Sequence, residues 1–367
     1  MQISIQRDEL LKPLTYAAGV VERRQTLPVL SNVLLQVKDG SLVITATDLE
    51  IEVVATTSVK SATDGEITVP ARKLLDICKS LPDDSIIEIK SEAEKISVKS
   101  GKSRFSLVTL PATEFPNIET TNWDKEISLA QGAIRRILEK TQFCMAQQDV
   151  RYYMNGLLIE MQNKLLKAVG TDGHRMGVCD LVVDALTVDE NSQIIVPRKG
   201  VLELIRFLEP SDASAVLRIG KNHIQVEFGD IKFTSKLIDG RFPDYTRVIP
   251  GKQTKSVSVD KEQFKKAIQR VSILSNEKFK GIVLGVGNKA MNISTHNPEQ
   301  EEAQEEIVID YDQENTEIGF NSNFIVDAVS GLTGASIDIG LTDGNSIGSF
   351  TCKEDSDTLY LIMPMRL

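Results

Sequence analysis

Three landmarks recur in the same order along this chain of 367 residues, and a sequence built that way folds as tandem copies of one unit. The first is an apolar stretch after a small or polar pair: SNVLLQV at 31–37, NGLLIEM at 155–161 and KGIVLGV at 280–286. The second is a strand end in Thr plus a polar residue, closing on Asp48, Asp172 and His296 at two intervals of 124 residues. The third is a strand-to-helix junction: VPARKLLDICKSL from Val69, VPRKGVLELIRFL from Val196 and FNSNFIVDAVSGL from Phe320, offset by 127 and then 124. LPATEFP at 110–116 is echoed by LIDGRFP at 237–243, and the last unit stops at Met363-Pro364. Boundaries are therefore expected near 122 and 251, giving domains 1–122, 123–250 and 251–367. Each is long enough to bury its own core.

Within a unit the periodicity alternates between two kinds. An opening helix carries apolar residues at helical spacing: Leu10, Leu14, Ala17, Ala18 and Val21; then Ile134, Ile137, Leu138, Thr141 and Met145; then Phe264, Ala267, Ile268 and Val271. Pro13, early in the first helix, conflicts with that pattern. A second helix follows each junction, with Leu74, Leu75, Cys78 and Leu81 on one face in the first unit and Pro70 at its start, where proline is tolerated. Nearly everything else alternates with period two between Gly, Asp and Asn turns. The fold class is α+β, two helices packed on antiparallel sheet in each of three tandem domains.

Charge narrows the function. The chain has 42 Lys+Arg against 52 Asp+Glu, a net −10. By expected domain the balance is 14 against 17, 17 against 17, and 11 against 18. The helices run against that trend: Arg72, Lys73 and Lys79; Arg135, Arg136 and Lys140; Arg198, Lys199 and Arg206; Lys261, Lys265, Lys266 and Arg270. The helix from Phe324 to Leu332 is the exception, with Asp327 and no base. Solvated faces of amphipathic helices account for any one of these. Four sharing a sign in an acidic protein point to a polyanion. A handful of phosphate contacts gives only weak, salt-sensitive binding, about 10⁻⁴–10⁻⁶ M, so an acidic protein that holds DNA durably needs some other retention, and geometric enclosure is one.

Other chemistries are excluded on the residues. No apolar run approaches the ~20 residues of a membrane span, and the opening MQISIQRDELLKPL lacks a secretory pattern, so a cytoplasmic protein with no membrane partner is expected. Cys78, Cys144, Cys179 and Cys352 form no CxxC pair and read as reduced core thiols, with no zinc or other metal site. Thr171-Asp172-Gly173-His174-Arg175 places an Asp near a His, but TATD and ISTH recur at the same strand ends, so turn chemistry explains the Asp better than catalysis. Gly101-Lys102-Ser103 has Ile96 where a phosphate loop needs glycine, and Gly285-Val286-Gly287 lacks a third glycine. The acidic stretch from Glu299 to Glu317 alternates with Ile307, Ile309 and Tyr311, as strands with a charged outer face do. No cofactor, no catalytic residue and no enzyme activity are expected.

Taken together, TDLEIE (47–52), VPARK (69–73), RFSLVTLP (104–111), QDVRYY (148–153), VGTDGHR (169–175), VPRKGV (196–201), FTSKLIDGRFPDY (233–245), SNEKFKGI (275–282), HNPEQEEA (296–303) and MPMRL (363–367) resemble the beta subunit of bacterial DNA polymerase III, the replicative sliding clamp family, from end to end. The resemblance implies a head-to-tail homodimer whose six similar domains close into a ring with pseudo-sixfold symmetry. Helices would line the hole and sheets the rim. The ring would encircle duplex DNA, slide without sequence specificity and tether the polymerase III catalytic subunit. The clamp loader, other polymerases and repair proteins carrying clamp-binding motifs are the further partners it implies.

Carried over position by position, the DNA-facing residues are Arg24, Arg72, Lys73, Gln148, Tyr152, Tyr153, Arg198 and Lys199. The dimer seam is Phe105 and Leu107 against Ile273 and Leu274, and ordinary core residues are the alternative reading of Phe105 and Ile273. The partner-peptide pocket is Met154, Thr171, Gly173, His174, Arg175, Met176, Pro243, Arg247, Val248, Asn321, Phe324, Ser346, Met363, Pro364, Met365 and Arg366. Met176, Phe324 and Ser346 stand where relatives of that family can differ. A monomeric three-domain peptide scaffold that never touches DNA is the rival, separable by light scattering and by retention on circular DNA.

Overall fold

The computed structural model describes residues 1–22, 27–59, 61–116, 122–184, 186–187, 191–251 and 255–366. Six α-helices lie among them: α1 Arg7–Val20, α2 Ala71–Ser80, α3 Gln131–Thr141, α4 Arg198–Phe207, α5 Lys261–Val271 and α6 Ser322–Gly331. They fall two to each repeat, in the places the periodicity assigned. Leu10, Leu14, Ala17 and Ala18 of α1 are buried, and Pro13 is accommodated inside the helix with its ring on the buried face. Met145 lies beyond the end of α3, after a 3-10 turn at Gln142–Cys144. The start of α5 is set by Asp260, whose carboxylate accepts from the Gln263 N–H, and that of α6 by Asn321, which accepts from Asn323 and Phe324.

The chain divides into two compact units, Met1–Arg135 with Leu202–Leu237 and Arg136–Val201 with Ile238–Leu367. In the first unit, a five-stranded antiparallel sheet runs in the order 61–63, 2–6, 86–92, 95–100, 103–108. An eight-stranded sheet runs 123–130, 214–220, 223–228, 231–236, 51–58, 41–47, 32–38, 65–70. In the second unit, an eight-stranded sheet runs 192–197, 156–162, 165–171, 175–182, 358–362, 348–351, 336–341, 255–260, and a four-stranded sheet 302–308, 290–296, 281–287, 316–321. Phe264, Ala267, Ile268 and Val271 of α5 meet Ile325, Ala328 and Val329 of α6 in a core with Phe320, Phe350 and Tyr360.

Both eight-stranded sheets are made by the same junction. Ile231–Lys236, the last strand of the second repeat, pairs antiparallel with Ile51–Ser58 of the first. Thr358–Ile362, the last strand of the third repeat, pairs with Arg175–Val182 of the second, the counterpart of 51–58. The first repeat's last strand, Ser103–Val108, and the third repeat's counterpart, Glu302–Val308, are each left as the outermost strand of their own sheet.

The helix cations are more engaged than the sequence pattern implied. Asp355, 4% exposed, accepts from Arg136 Nη2 at 2.8 Å, from the Thr333 N–H and the Thr358 hydroxyl at 2.9 Å each, and from Lys140 Nζ. Lys140 also donates to the Gly331 carbonyl, and Tyr360 Oη donates to the Lys140 carbonyl. Arg135 donates to the Leu208 carbonyl and Lys261 to that of Leu332. These bonds join a helix to the element beside it, so a positive count along a helix overstates the charge left for a partner. All four cysteines are free and buried, and burial pushes the Cys78 thiol up to about 12, the behaviour of packed thiols and not of nucleophiles.

Candidate functional site

The segment Thr171-Asp172-Gly173-His174-Arg175 folds as a tight turn for reasons visible in its side chains. Thr171 Oγ1 donates to the Arg175 carbonyl at 2.7 Å and accepts from the Gly173 N–H. Asp172 Oδ1 accepts from the N–H groups of His174 and Arg175. The first repeat builds the same turn: Thr47 Oγ1 to the Ile51 carbonyl, Leu49 N–H to Thr47 Oγ1, and Glu50 and Ile51 N–H to Asp48. Turn chemistry therefore accounts for the Asp in both. The third repeat has His296 in place of the Asp, and there Thr295 bonds the Gly281 carbonyl instead. Gly173 sits at φ +86°, where a Cβ would stand 3.2 Å from the Arg151 guanidinium.

Beside this turn, in the second unit, lies a cavity of about 130 Å³. Met154, Thr171, Gly173, Arg175, Met176, Pro243, Val248 and Met363 line it, together with Asp244, Tyr245, Ile347 and Leu361. Arg175 is fixed at the wall: Nε bonds Asp172 at 3.1 Å, Nη1 bonds Asp327 at 2.5 Å, and its guanidinium lies over the Phe324 ring at 4.4 Å. Phe324 thus reaches the site through Arg175. Met363 is held by its N–H on the His174 carbonyl, Arg247 by Asp244, and the Ser346 hydroxyl by Asp343. Asn321 is occupied capping α6 and donating to the Phe279 carbonyl. Met365 and Arg366 line a different, larger cavity of about 350 Å³ with Phe279, Val283, Thr295 and Pro298. Tyr245 stood within the GRFPDY stretch that carried the resemblance. Ile347 and Leu361 had no sequence signal beyond their apolar character. Asp172 was visible as a turn former but not as the partner of Arg175.

The DNA-facing candidates lie in several environments. Arg24 falls outside the described residues. On α2, Lys73 is exposed and Arg72 donates to the Val21 carbonyl. Gln148 adopts φ +55° on an exposed loop that is tied by Arg151 to Asp149 through two bonds of 3.0 and 2.9 Å, and the Arg151 bond holds the Asp149 carboxyl down at about 2. Tyr152 is exposed with its edge toward Tyr153, which packs half-buried against the core. Arg198 is half-buried and donates to the carbonyls of Gln142 and Met145; Lys199 is also half-buried. Of the residues expected at a seam, Phe105 and Leu107 point to the partly covered side of the edge strand Ser103–Val108, and Ile273 is 75% exposed in the 3-10 turn after α5, with Leu274 beside it. Val108 and Val308 are also exposed, one on each of the two edge strands.

A thrice-repeated α+β unit joined by edge-to-edge strand pairing defines a DNA clamp of three tandem domains. Family models for the N-terminal, central and C-terminal domains of the DNA polymerase III beta subunit match residues 1–119, 128–244 and 246–366. The beta sliding clamp of Pseudomonas aeruginosa is 49% identical over 368 residues, covering all of both chains. The crystal structure of the DNA polymerase III subunit beta from that organism superposes with a TM-score of 0.98 at 48% identity over the whole of both chains. A structure from Bartonella birtlesii, described as a sliding clamp bound to griselimycin, does so at 0.96 with 34% identity, again over the whole of both chains. The chain belongs to the DNA polymerase III beta subunit family, the sliding clamps, and is a processivity factor of DNA replication.

Proposed function

We propose that two copies of this chain close head to tail into a ring that encircles duplex DNA, slides along it without reading sequence, and tethers polymerase III and other partners through the cavity beside Thr171. The observation that carries this reading is the junction repeated inside the chain. The last strand of the second repeat joins the first, and the last strand of the third joins the second. By the same rule Ser103–Val108 calls for the edge Glu302–Val308 of another copy. The two edges are complementary in charge, with Arg104 on one, preceded by Lys102, and Glu302 and Glu306 on the other, preceded by Glu301. A twofold repeats this seam twice and closes the assembly without an open filament. Phe105, Leu107, Ile273 and Leu274 belong to that seam.

Arg24, Arg72, Lys73, Gln148, Tyr152, Tyr153, Arg198 and Lys199 then meet the phosphates loosely, and topology supplies retention. Phosphate contacts fix no base sequence, which suits a protein that must slide. The pocket, with its three methionines, accepts short peptide motifs of differing sequence, and we extend to it the griselimycin binding of the solved relatives. The clamp loader, polymerases and repair proteins are the partners this implies. The protein works in the cytoplasm without catalysing a reaction, and its domains are 1–122, 123–250 and 251–367. Sedimentation at micromolar concentration tests the assembly: the reading expects twice the chain mass of 40.6 kDa, and a species of single mass would overturn it.

A further inference from the structure

A polar stripe crosses four strands of the eight-stranded sheet in the second unit and reaches the cavity wall through Tyr245. In register, Gln193 stands opposite Glu160, Glu160 opposite Lys167, and Lys167 opposite Asp180. Glu160 is only 7% exposed, and a carboxylate that deep requires donors. Gln193 Nε2 supplies one at 3.0 Å and Tyr245 Oη the other at 2.5 Å, while Lys167 turns to Asp180 at 2.5 Å. Tyr245 is itself 7% exposed, and burial, with Glu160 beside it, pushes its phenol up, so the hydroxyl stays a donor. Tyr245 opens the 3-10 turn Tyr245–Val248, and Pro243, Asp244, Tyr245 and Val248 together make one wall of the cavity.

We infer that Glu160 and Tyr245 are positioning residues of the partner site: their buried hydrogen bond docks the 243–248 wall on the sheet and so sets the width of the cavity that a partner peptide enters. The inference rests on the reading of that cavity as the peptide pocket. Glu160, which is not among the residues lining the cavity, acts through Tyr245 without touching the ligand. Loss of the bond leaves a buried acceptor short of a donor, which the wall relieves by lifting, so the cost appears in binding.

Griselimycin serves as the probe, with affinity measured by calorimetry on the full chain. Tyr245→Phe should weaken binding by about tenfold. Glu160→Leu should do the same, and the pair together no more than either alone, because the two act as one unit. Glu160→Gln keeps an oxygen for the Tyr245 hydroxyl and should retain most of the affinity. Methyl resonances of Met154, Met176 and Met363, which line the cavity, should shift in Tyr245→Phe, while that of Met291, buried in the other sheet's core, stays put and reports an intact fold. A wild-type protein that fails to bind griselimycin overturns the pocket reading itself. Binding by the wild type that Tyr245→Phe leaves unchanged, or losses that simply add in the double variant, overturns the positioning role alone.

Discussion

Asp355 offers a perturbation whose size follows from the coordinates. Its carboxylate is almost sealed from solvent and holds Arg136, Lys140, Thr333 and Thr358 together. Burial alone would raise its pKa, but the Lys140 ammonium and the Thr358 hydroxyl outweigh that and hold it at about 2, against 3.8 for an ordinary Asp. A depression of that size contributes about 2 kcal/mol of folding free energy. Because the folded-state pKa is the lower one, the contribution is complete above the unfolded value and is lost as pH falls from about 4 through about 2. Asp355→Asn keeps the shape and removes the charge, so it should cost about 2 kcal/mol at pH 7 by urea denaturation at fixed protein concentration. The gap between wild type and variant should close toward zero near pH 2. Asp355→Ala should cost more, about 3–5 kcal/mol, because the Lys140 ammonium is then buried without its partner. A wild-type to Asn difference that stays the same from pH 7 to pH 2, or is absent at pH 7, would refute the argument that this charge, and not the packing around it, holds α3 to the Lys353–Asp355 turn.

Other outcomes follow from the same geometry. Ile273→Ala combined with Leu274→Ala should convert a dimer to single chains by light scattering, and a stable dimer would exclude both from the seam. Gly173→Ala forces a Cβ into a left-handed turn against Arg151 and should lose about 1 kcal/mol of stability together with griselimycin affinity; unchanged calorimetry would place the turn outside the site. Arg198→Ala with Lys199→Ala should lower the salt dependence of DNA binding by one to two in logarithmic slope, whereas Lys140→Ala, whose ammonium is already held by Asp355, should leave that slope alone.

Much of the fold was legible because its signals are local and repeated. Period-two strands, helices opening after Val-Pro, and the Thr-Asp turn each depend on a few neighbouring residues, and the threefold recurrence checked one copy against another. The Asp48 and Asp172 turns, built alike at 124-residue spacing, are the clearest case. What stayed hidden depends on contacts across long separations. Nothing in the sequence ties Lys140 to Asp355, 215 residues on, so helix charges were counted as a free surface when several already had partners. Glu160, one charge in an apolar strand, gave no hint of Tyr245, 85 residues away. The cavity was half legible: the resemblance brought in the Thr171–Met176 segment and Met363, while Ile347 and Leu361 join it only once the third repeat's last strand has paired with the second repeat.

The claim at the centre is that retention on DNA comes from closure and not from adhesion, and one measurement addresses it directly. The clamp is placed on a nicked circular duplex by its loader, freed of unbound protein at a salt concentration that screens phosphate contacts, and followed before and after a single restriction cut. Retention on the circle with rapid loss once the ends are free is the predicted result. Equal retention on circle and linear duplex, or release from the intact circle as salt rises, would mean that the protein grips DNA instead of surrounding it.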